Sequence, residues 1–309
     1  LYFCAMMLIL GLISGLLSAL LQSFSYVCSA LFLQKHRSII GMLLYSQALM
    51  GACCLPLVLW FFPYDRICLW QLLAWLVPLW LLCYAGGQYF FFWGQMLLES
   101  SKLVSLLGLK IPFLALFMLI FQHQGLNGWR WFAVALTMIG ATLFNWTGGR
   151  RITLKAIIVV LATVVFYCGC DLLETRLVGG FSEGAQAVGP ILSASLLSLG
   201  LLYTVLGAFC LGILLRTGFK PRLLVATIPF SLFWFSSQVA LLVCFGSVGP
   251  VYGNVLSALR GLFSVIFGAI VVSWGWMPGE ARVSKQMWAR RTFAATLVVA
   301  GIVLYSLYA

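Results

Sequence analysis

Charged side chains are scarce in this sequence, and acidic ones are the scarcest. Only 8% of the 309 residues are charged, whereas soluble domains carry about 25%. Six residues are acidic and two are histidine. So few acids and histidines provide no cluster with the composition of a metal site or a hydrolytic centre, and no phosphate-binding loop motif is present. We therefore expect a protein without enzyme activity, metal or cofactor.

Hydrophobic residues make up 63% of the chain and occur in long runs. A run of about 20 apolar residues matches the hydrocarbon core of a bilayer, which only helices and closed barrels can cross. We predict an all-α polytopic protein of ten transmembrane helices, integral to a bacterial inner or plasma membrane. The predicted spans are residues 4–33, 39–62, 70–96, 101–121, 130–147, 154–177, 186–215, 223–245, 249–274 and 288–308.

The basic residues give the chain a net charge of +12. Thirteen of the 18 Lys and Arg residues lie in or beside the odd-numbered connections between predicted spans, three lie at the even-numbered ones, and two lie inside spans. Short basic loops determine membrane topology, because they stay on the cytoplasmic side. This pattern predicts cytoplasmic odd-numbered connections and external termini, and it argues against a nucleic-acid partner.

The two cations inside spans, Lys110 and Arg260, occupy matching places in an internal repeat. Each follows a glutamine by 22 residues, since Gln88 precedes Lys110 and Gln238 precedes Arg260. The fifth and tenth spans also align without a gap from Arg130 and Arg291. We predict two five-helix repeats, residues 1–148 and 149–309. Because five is odd, the second repeat enters the membrane from the opposite side, as in many transporters.

This layout resembles the drug/metabolite transporter superfamily, in its ten-span EamA branch. The resemblance extends over the whole chain, with a pattern from Pro112 to Gly140 and the segments LRGLFSVIFGAIV and RRTFAATLVVAGIVLYSL near the end. It implies a central cavity formed by spans 1–4 and 6–9, with spans 5 and 10 peripheral. It also implies alternating access, a coupling proton or counter-substrate, and cytoplasmic termini, which the charge pattern contradicts.

Lys110 and Arg260 each lie about ten residues from their span ends, roughly 15 Å deep. A cation at such depth costs about 2.5–3.5 kcal/mol on insertion scales and is functional by default. Of the six acids, only Asp171 falls deep within a span. We therefore expect an anionic group of a substrate to complete the charge balance. The alternative is that both cations are internal ties to backbone carbonyls or to a buried acid.

Other buried polar and aromatic residues complete the predicted site. Gln88 and Gln238 are expected to hydrogen-bond the substrate, or else to form interhelical hydrogen bonds between spans. Asp171 is expected to pair with a central cation or to take up a coupling proton, and Glu174 to form a surface pair with Arg176. Aromatic residues that lie away from the span ends are candidate cavity walls. These are Tyr26, Tyr84, Trp93 and Trp234.

The sequence thus predicts a secondary transporter of small organic metabolites that bear a carboxylate or phosphate, working by alternating access in a lipid bilayer. One alternative is a multidrug, neutral-metabolite or amino-acid exporter of the same fold, in which Asp171 and carbonyls neutralise the cations. A second alternative is a membrane subunit or lipid-handling protein that transports nothing.

Overall fold

The computed structural model describes most of the chain and is helical throughout its long elements. The described residues are 2–62, 67–98, 103, 106–122, 127–145, 153–182, 188–260, 263, 267, 290, 293, 294, 296, 297, 300, 301, 303 and 304. The continuous helices are α1 (Tyr2–His36), α2 (Ile39–Phe61), α3 (Ile67–Leu97), α4 (Lys110–Gln122), α5 (Gly128–Asn145), α6 (Leu154–Ser182), α7 (Val188–Thr217), α8 (Pro221–Val248) and α9 (Pro250–Ser257).

Within these residues, six helices are long and apolar enough to cross a bilayer, namely α1, α2, α3, α6, α7 and α8. The chain is therefore an all-α, multi-pass integral membrane protein, as predicted. The apolar helix Leu107–Ile120 is shorter than a span. About half of the predicted ninth span and more than half of the predicted tenth lie outside the described residues. The count of ten spans and the division at residue 148 stay predictions.

The distribution of polarity is that of a protein surrounded by lipid. Large apolar side chains face outward, and Trp60 is 83% exposed. Amide and charged side chains lie inside instead, where they can find partners that lipid does not offer. The buried polar set includes Gln22, Gln47, Gln88, Lys110, Asp171, Glu174, Gln238, Asn254 and Arg260.

Short connections join α1 to α2 and α8 to α9. Ser38 caps α2, because its hydroxyl accepts a hydrogen bond from the backbone N–H of Gly41 at 3.0 Å. Gly249 separates α8 from α9 with φ of 87°, a conformation that favours glycine, and Pro250 then begins α9. Among the described residues, the buried polar side chains named above lie at helical positions rather than in these two connections.

Three long helix pairs form the body of the protein. α1 packs along α8, α2 along α7, and α3 along α6, while α4 packs against α6 and α9. Each of these contacts joins a helix from before residue 148 to one from after it. The side chains gathered between these pairs form one continuous core, in which Trp80, Tyr26 and Tyr203 are fully buried.

The crossing of α2 and α7 depends on two glycines, Gly51 and Gly207. A methyl group on residue 51 would lie 2.5 Å from the backbone oxygen of Tyr203 and 2.6 Å from the Cα of Gly207. Both neighbours are backbone atoms, so relief requires the helices to separate.

We expect Gly51→Ala to lower the free energy of unfolding by about 1–3 kcal/mol, the usual cost of overpacking. SDS titration of the protein in mixed micelles measures this change. Gly212→Ala on the same helix pair is the matched control, since no atom lies within 4 Å of the added methyl group. Equal stability of the two variants would contradict the close crossing.

Candidate functional site

Lys110 and Arg260 each follow directly on an interruption of helical structure. A single 3₁₀ turn, Leu107–Leu109, precedes Lys110, and the turn at Ala258 and Leu259 precedes Arg260. Pro112 explains the first interruption, because a proline ring clashes with the carbonyl four residues earlier, here that of Gly108. At the first interruption the backbone N–H of Lys110 lies within hydrogen-bond reach of the carbonyls of both Gly108 and Leu107.

Lys110 is bound by an acid of α6. Its Nζ lies 2.7 Å from both Oδ1 and Oδ2 of Asp171. Asn254 of α9 donates a further hydrogen bond to Oδ2 at 2.6 Å, and the Tyr167 ring centroid lies 5.5 Å from the ammonium. Lys110 is only 5% exposed. The pair is therefore an internal ion pair with additional hydrogen-bond support, which matches the predicted pairing of Asp171 with a central cation.

Arg260 reaches across to the first half of the chain. Its Nη1 donates to Oε1 of Gln22 at 2.9 Å, and its Nη2 contacts the carbonyl oxygen of Leu107 at 3.5 Å. Ser23 in turn donates to the backbone oxygen of Arg260 at 2.9 Å. The guanidinium, also 5% exposed, thus meets a neutral amide and a neutral carbonyl. In the part of the chain that the structure describes, no carboxylate pairs with it.

The partners of the two cations differ in charge and lie at almost the same sequence spacing as the cations themselves. Arg260 lies 150 residues after Lys110, and Asp171, the partner of Lys110, lies 149 residues after Gln22, the partner of Arg260. The acid that neutralises the first cation is replaced by an amide at the second. A formal positive charge therefore remains at Arg260.

A tyrosine hydroxyl organises the polar core next to this site. The Tyr84 hydroxyl accepts hydrogen bonds from Nε2 of Gln88 at 3.1 Å and Nε1 of Trp234 at 2.7 Å. The Tyr84 and Tyr203 hydroxyls lie 3.0 Å apart, at hydrogen-bond distance in which either oxygen can donate, and Nε1 of Trp234 also lies 2.9 Å from the Tyr203 hydroxyl. Trp80 stacks on Tyr84 with 4.5 Å between ring centroids. The predicted residues Gln88, Tyr84 and Trp234 therefore do lie together.

Several polar atoms of this core have no partner among the described residues. They are Oε1 of Gln47, Oε1 of Gln88 and the hydroxyls of Tyr26 and Tyr167. Gln47 also reaches the Tyr84 hydroxyl, at 3.5 Å, and the rings of Tyr26 and Tyr167 lie 6.2 and 6.5 Å from that of Trp234. An unsatisfied buried polar group costs about 1–3 kcal/mol. Their concentration around Tyr84 and Trp234 favours a site where a ligand or water supplies the missing bonds.

The remaining predicted site residues are placed differently. Tyr26 packs on Phe91 at 4.9 Å, inside the core. Gln238 is buried on α8, one turn beyond Trp234. Trp93 lies near the start of α6 instead, since Nζ of the exposed Lys155 is 5.1 Å from its ring centroid. The structure therefore does not bring Trp93 together with the residues around Tyr84.

The predicted surface pair of Glu174 with Arg176 is wrong. Glu174 is 3% exposed and accepts a hydrogen bond from Nε1 of Trp80 at 2.8 Å. Arg176 is exposed, with its guanidinium 6.0 Å from the ring of Trp75. The reason is the length of α6, which continues to Ser182. Glu174 therefore lies about two turns inside the helix rather than near its end.

Sequence reasoning also missed Gln22, Asn254, Trp80 and Tyr203. Gln22 and Asn254 could have been found, because each is an amide within an apolar run, like Gln88 and Gln238. Trp80 and Tyr203 carry no comparable signal. Aromatic residues are common throughout this chain, and only the packing of α3 on α6 and of α7 on α8 shows which of them point inward.

Comparison with known proteins shows a shared fold. No family model and no curated protein matches the chain. Solved structures do match, and one is a crystal structure described simply as that of a protein. It superposes with a TM-score of 0.62 over 96% of this chain and 96% of its own length, at 12% sequence identity. At that identity, the similarity concerns the fold alone.

Proposed function

We propose that the chain is a ten-span secondary transporter of the drug/metabolite transporter type, carrying small organic anions or zwitterions across a bacterial inner or plasma membrane. The substrate's carboxylate or phosphate binds Arg260, and the core around Tyr84 and Trp234 contacts the rest of the molecule. Transport follows from rocking of two inverted halves around this site.

The contacts between helices support the inverted repeat. In an inverted repeat, α1 corresponds to α6, α2 to α7 and α3 to α8. A two-fold axis then relates the α1–α8 pair to the α3–α6 pair. The same axis passes through the α2–α7 crossing, where Gly51 meets Gly207. The interruptions before Lys110 and Arg260 are again 150 residues apart. Gly301, in the tenth predicted span, packs against Thr137 of α5.

The unbalanced charge of Arg260 is the observation on which the proposal of an anionic substrate rests. A guanidinium buried in a membrane is costly without an anion, and its present partners are the neutral oxygens of Gln22 and Leu107. Guanidinium groups bind carboxylates and phosphates through two parallel hydrogen bonds. A substrate that displaces Gln22 and Leu107 would supply both. In this proposal Lys110 stabilises the fold rather than binding substrate, because Asp171 already neutralises it.

The second candidate is a multidrug, neutral-metabolite or amino-acid exporter of the same fold. The bidentate contact of Lys110 with Asp171 favours it, because that ion pair removes one of the two cations as an anion site. In this case, Gln22 and the Leu107 carbonyl are the permanent partners of Arg260, and the substrate contacts only the polar core.

A ligand panel separates these functions. The panel contains succinate, glutamate and glycerol 3-phosphate as anions or zwitterions, glucose as a neutral solute, and tetraphenylphosphonium as a lipophilic cation. Thermal unfolding of the purified protein in detergent detects binding, since a ligand at 100 times its Kd stabilises the folded state by about 2.7 kcal/mol. Uptake into proteoliposomes then detects transport of the same compounds.

We expect stabilisation and uptake with at least one anionic or zwitterionic compound and neither with glucose or tetraphenylphosphonium. The opposite selectivity would favour the exporter of neutral or lipophilic compounds. A protein that neither binds nor carries any of the five would contradict both transport proposals and favour a membrane subunit without transport activity.

A further inference from the structure

Glu174 is a buried carboxyl group that the proposed site does not use. Its hydrogen-bond donor in the described structure is the indole N–H of Trp80, at 2.8 Å. An indole N–H is a neutral donor, so this bond does not offset a full negative charge in the way a cation does. In the part of the chain that the structure describes, no Lys, Arg or His forms an ion pair with Glu174.

The charged groups near Glu174 do not favour its ionised form. Asp171 lies one turn away on the same face of α6, where its two oxygens are bound by Lys110 and Asn254. Lys110 is the nearby cation, and its charge is already balanced by that ion pair. Two neighbouring carboxylates resist ionising together.

Among the described residues, the other titratable groups that interact electrostatically with Glu174 are Cys170, one turn earlier on α6, Tyr84 on α3 and Tyr203 on α7. A thiol and a phenol are neutral when protonated and never carry a positive charge. None of them supplies a compensating positive charge. The surroundings of Glu174 therefore suit a neutral carboxylic acid.

We propose that Glu174 binds a proton when α3 and α6 are packed as observed, and that it is the proton-coupling site of the chain in place of Asp171. When the contact between Trp80 and Glu174 opens to water, the acid dissociates to a carboxylate and one proton, which enters the aqueous phase on that side. Reclosure requires a proton from whichever side is then open. Binding of the proton rests on the local geometry, and its coupling to transport rests on the function proposed above.

The position of Glu174 links this proton to the core. Trp80, its hydrogen-bond partner, stacks on Tyr84, whose hydroxyl bonds Trp234 and Tyr203. A change at Glu174 therefore moves the aromatic ring that packs against the centre of the candidate substrate site. Proton release and substrate release then depend on the same movement of α3 relative to α6.

Infrared spectroscopy of the detergent-purified protein at neutral pH tests the bound proton without any substrate. We expect the C=O stretching band of a protonated carboxylic acid in the unsubstituted protein. The band should be lost in Glu174→Gln, whose amide oxygen keeps an acceptor for Trp80 and so preserves the fold. Glu183→Gln, which removes the acidic residue nine positions later in the sequence, should keep the band. A missing band, or one that persists in Glu174→Gln, would overturn the assignment.

Uptake of the panel compounds into proteoliposomes under a pH gradient tests the coupling between proton and substrate. For one proton per substrate molecule, a gradient of one pH unit supports a tenfold accumulation of substrate. We expect this accumulation in the unsubstituted protein and only equilibration, without accumulation, in Glu174→Gln. Equal accumulation by both proteins overturns the coupling. If no panel compound is carried, the proposed function fails, and the infrared band still decides whether Glu174 holds the proton.

Discussion

Replacing Lys110 by methionine is expected to lower the free energy of unfolding by about 3–5 kcal/mol, because it leaves Asp171 as a buried carboxylate without its cation. Both oxygens of Asp171 contact the Lys110 ammonium at 2.7 Å, and the Asn254 amide alone cannot replace that charge. Unfolding in mixed micelles titrated with SDS measures the change.

The double variant Lys110→Met with Asp171→Asn provides the diagnostic comparison. It removes both charges, so most of the lost stability should return. Lys155→Met is the control for loss of an exposed cation. The lysine contacts the ring of Trp93, so its replacement should lower the free energy of unfolding by no more than about 1 kcal/mol. The ion pair would have no structural role if the Lys110 variant were as stable as the Lys155 variant, or if the double variant recovered nothing.

Replacing Arg260 by glutamine should chiefly impair function. A hydrogen bond to a charged group contributes about 1.5–3 kcal/mol, so affinity for the anionic panel compounds should fall by about 10- to 100-fold. The folded state should suffer less than with Lys110→Met, because the partners left behind, Gln22 and the Leu107 carbonyl, are neutral. Ligand titrations followed by thermal unfolding, together with uptake assays, measure both effects.

Two further variants make this second prediction specific. Arg260→Lys keeps the charge but loses the paired hydrogen bonds, so it should retain part of the affinity. Arg216→Gln removes an exposed cation near the end of α7 and should bind the anions as the unsubstituted protein does. Undiminished binding and uptake of anions by Arg260→Gln would refute the role of Arg260 and leave the exporter of neutral compounds as the better proposal.

The importance of Lys110 could be predicted from the sequence, but its partner could not be assigned with certainty. A lysine ten residues inside an apolar run is costly wherever it points, so its depth alone marks it. Whether Asp171 neutralises it depends on the direction in which each residue faces around its helix axis. That direction is set when α4 packs on α6 and α9.

Glu174 shows the same limit at a helix end. Its distance from the end of α6 decides whether it is interfacial or deep, and the apolar run gave no sign that the helix continues to Ser182. The predicted boundary fell five residues short of the end of α6, so an acid that is buried was predicted to lie at the surface. The close approach of Gly51 and Gly207 was likewise invisible, because glycines occur in many of the spans and only a crossing point requires one.

The sequence by itself determined that this is a helical membrane protein, because bilayer thickness and the cost of burying charge act on composition and on the length of apolar runs. It also marked the depth of Lys110 and Arg260, because position along a helix converts directly into distance across the membrane. Only the tertiary structure decided which cation is neutralised and that Glu174 is buried against Trp80. Those outcomes depend on helix rotation and helix ends, which are fixed by packing between segments far apart in the chain.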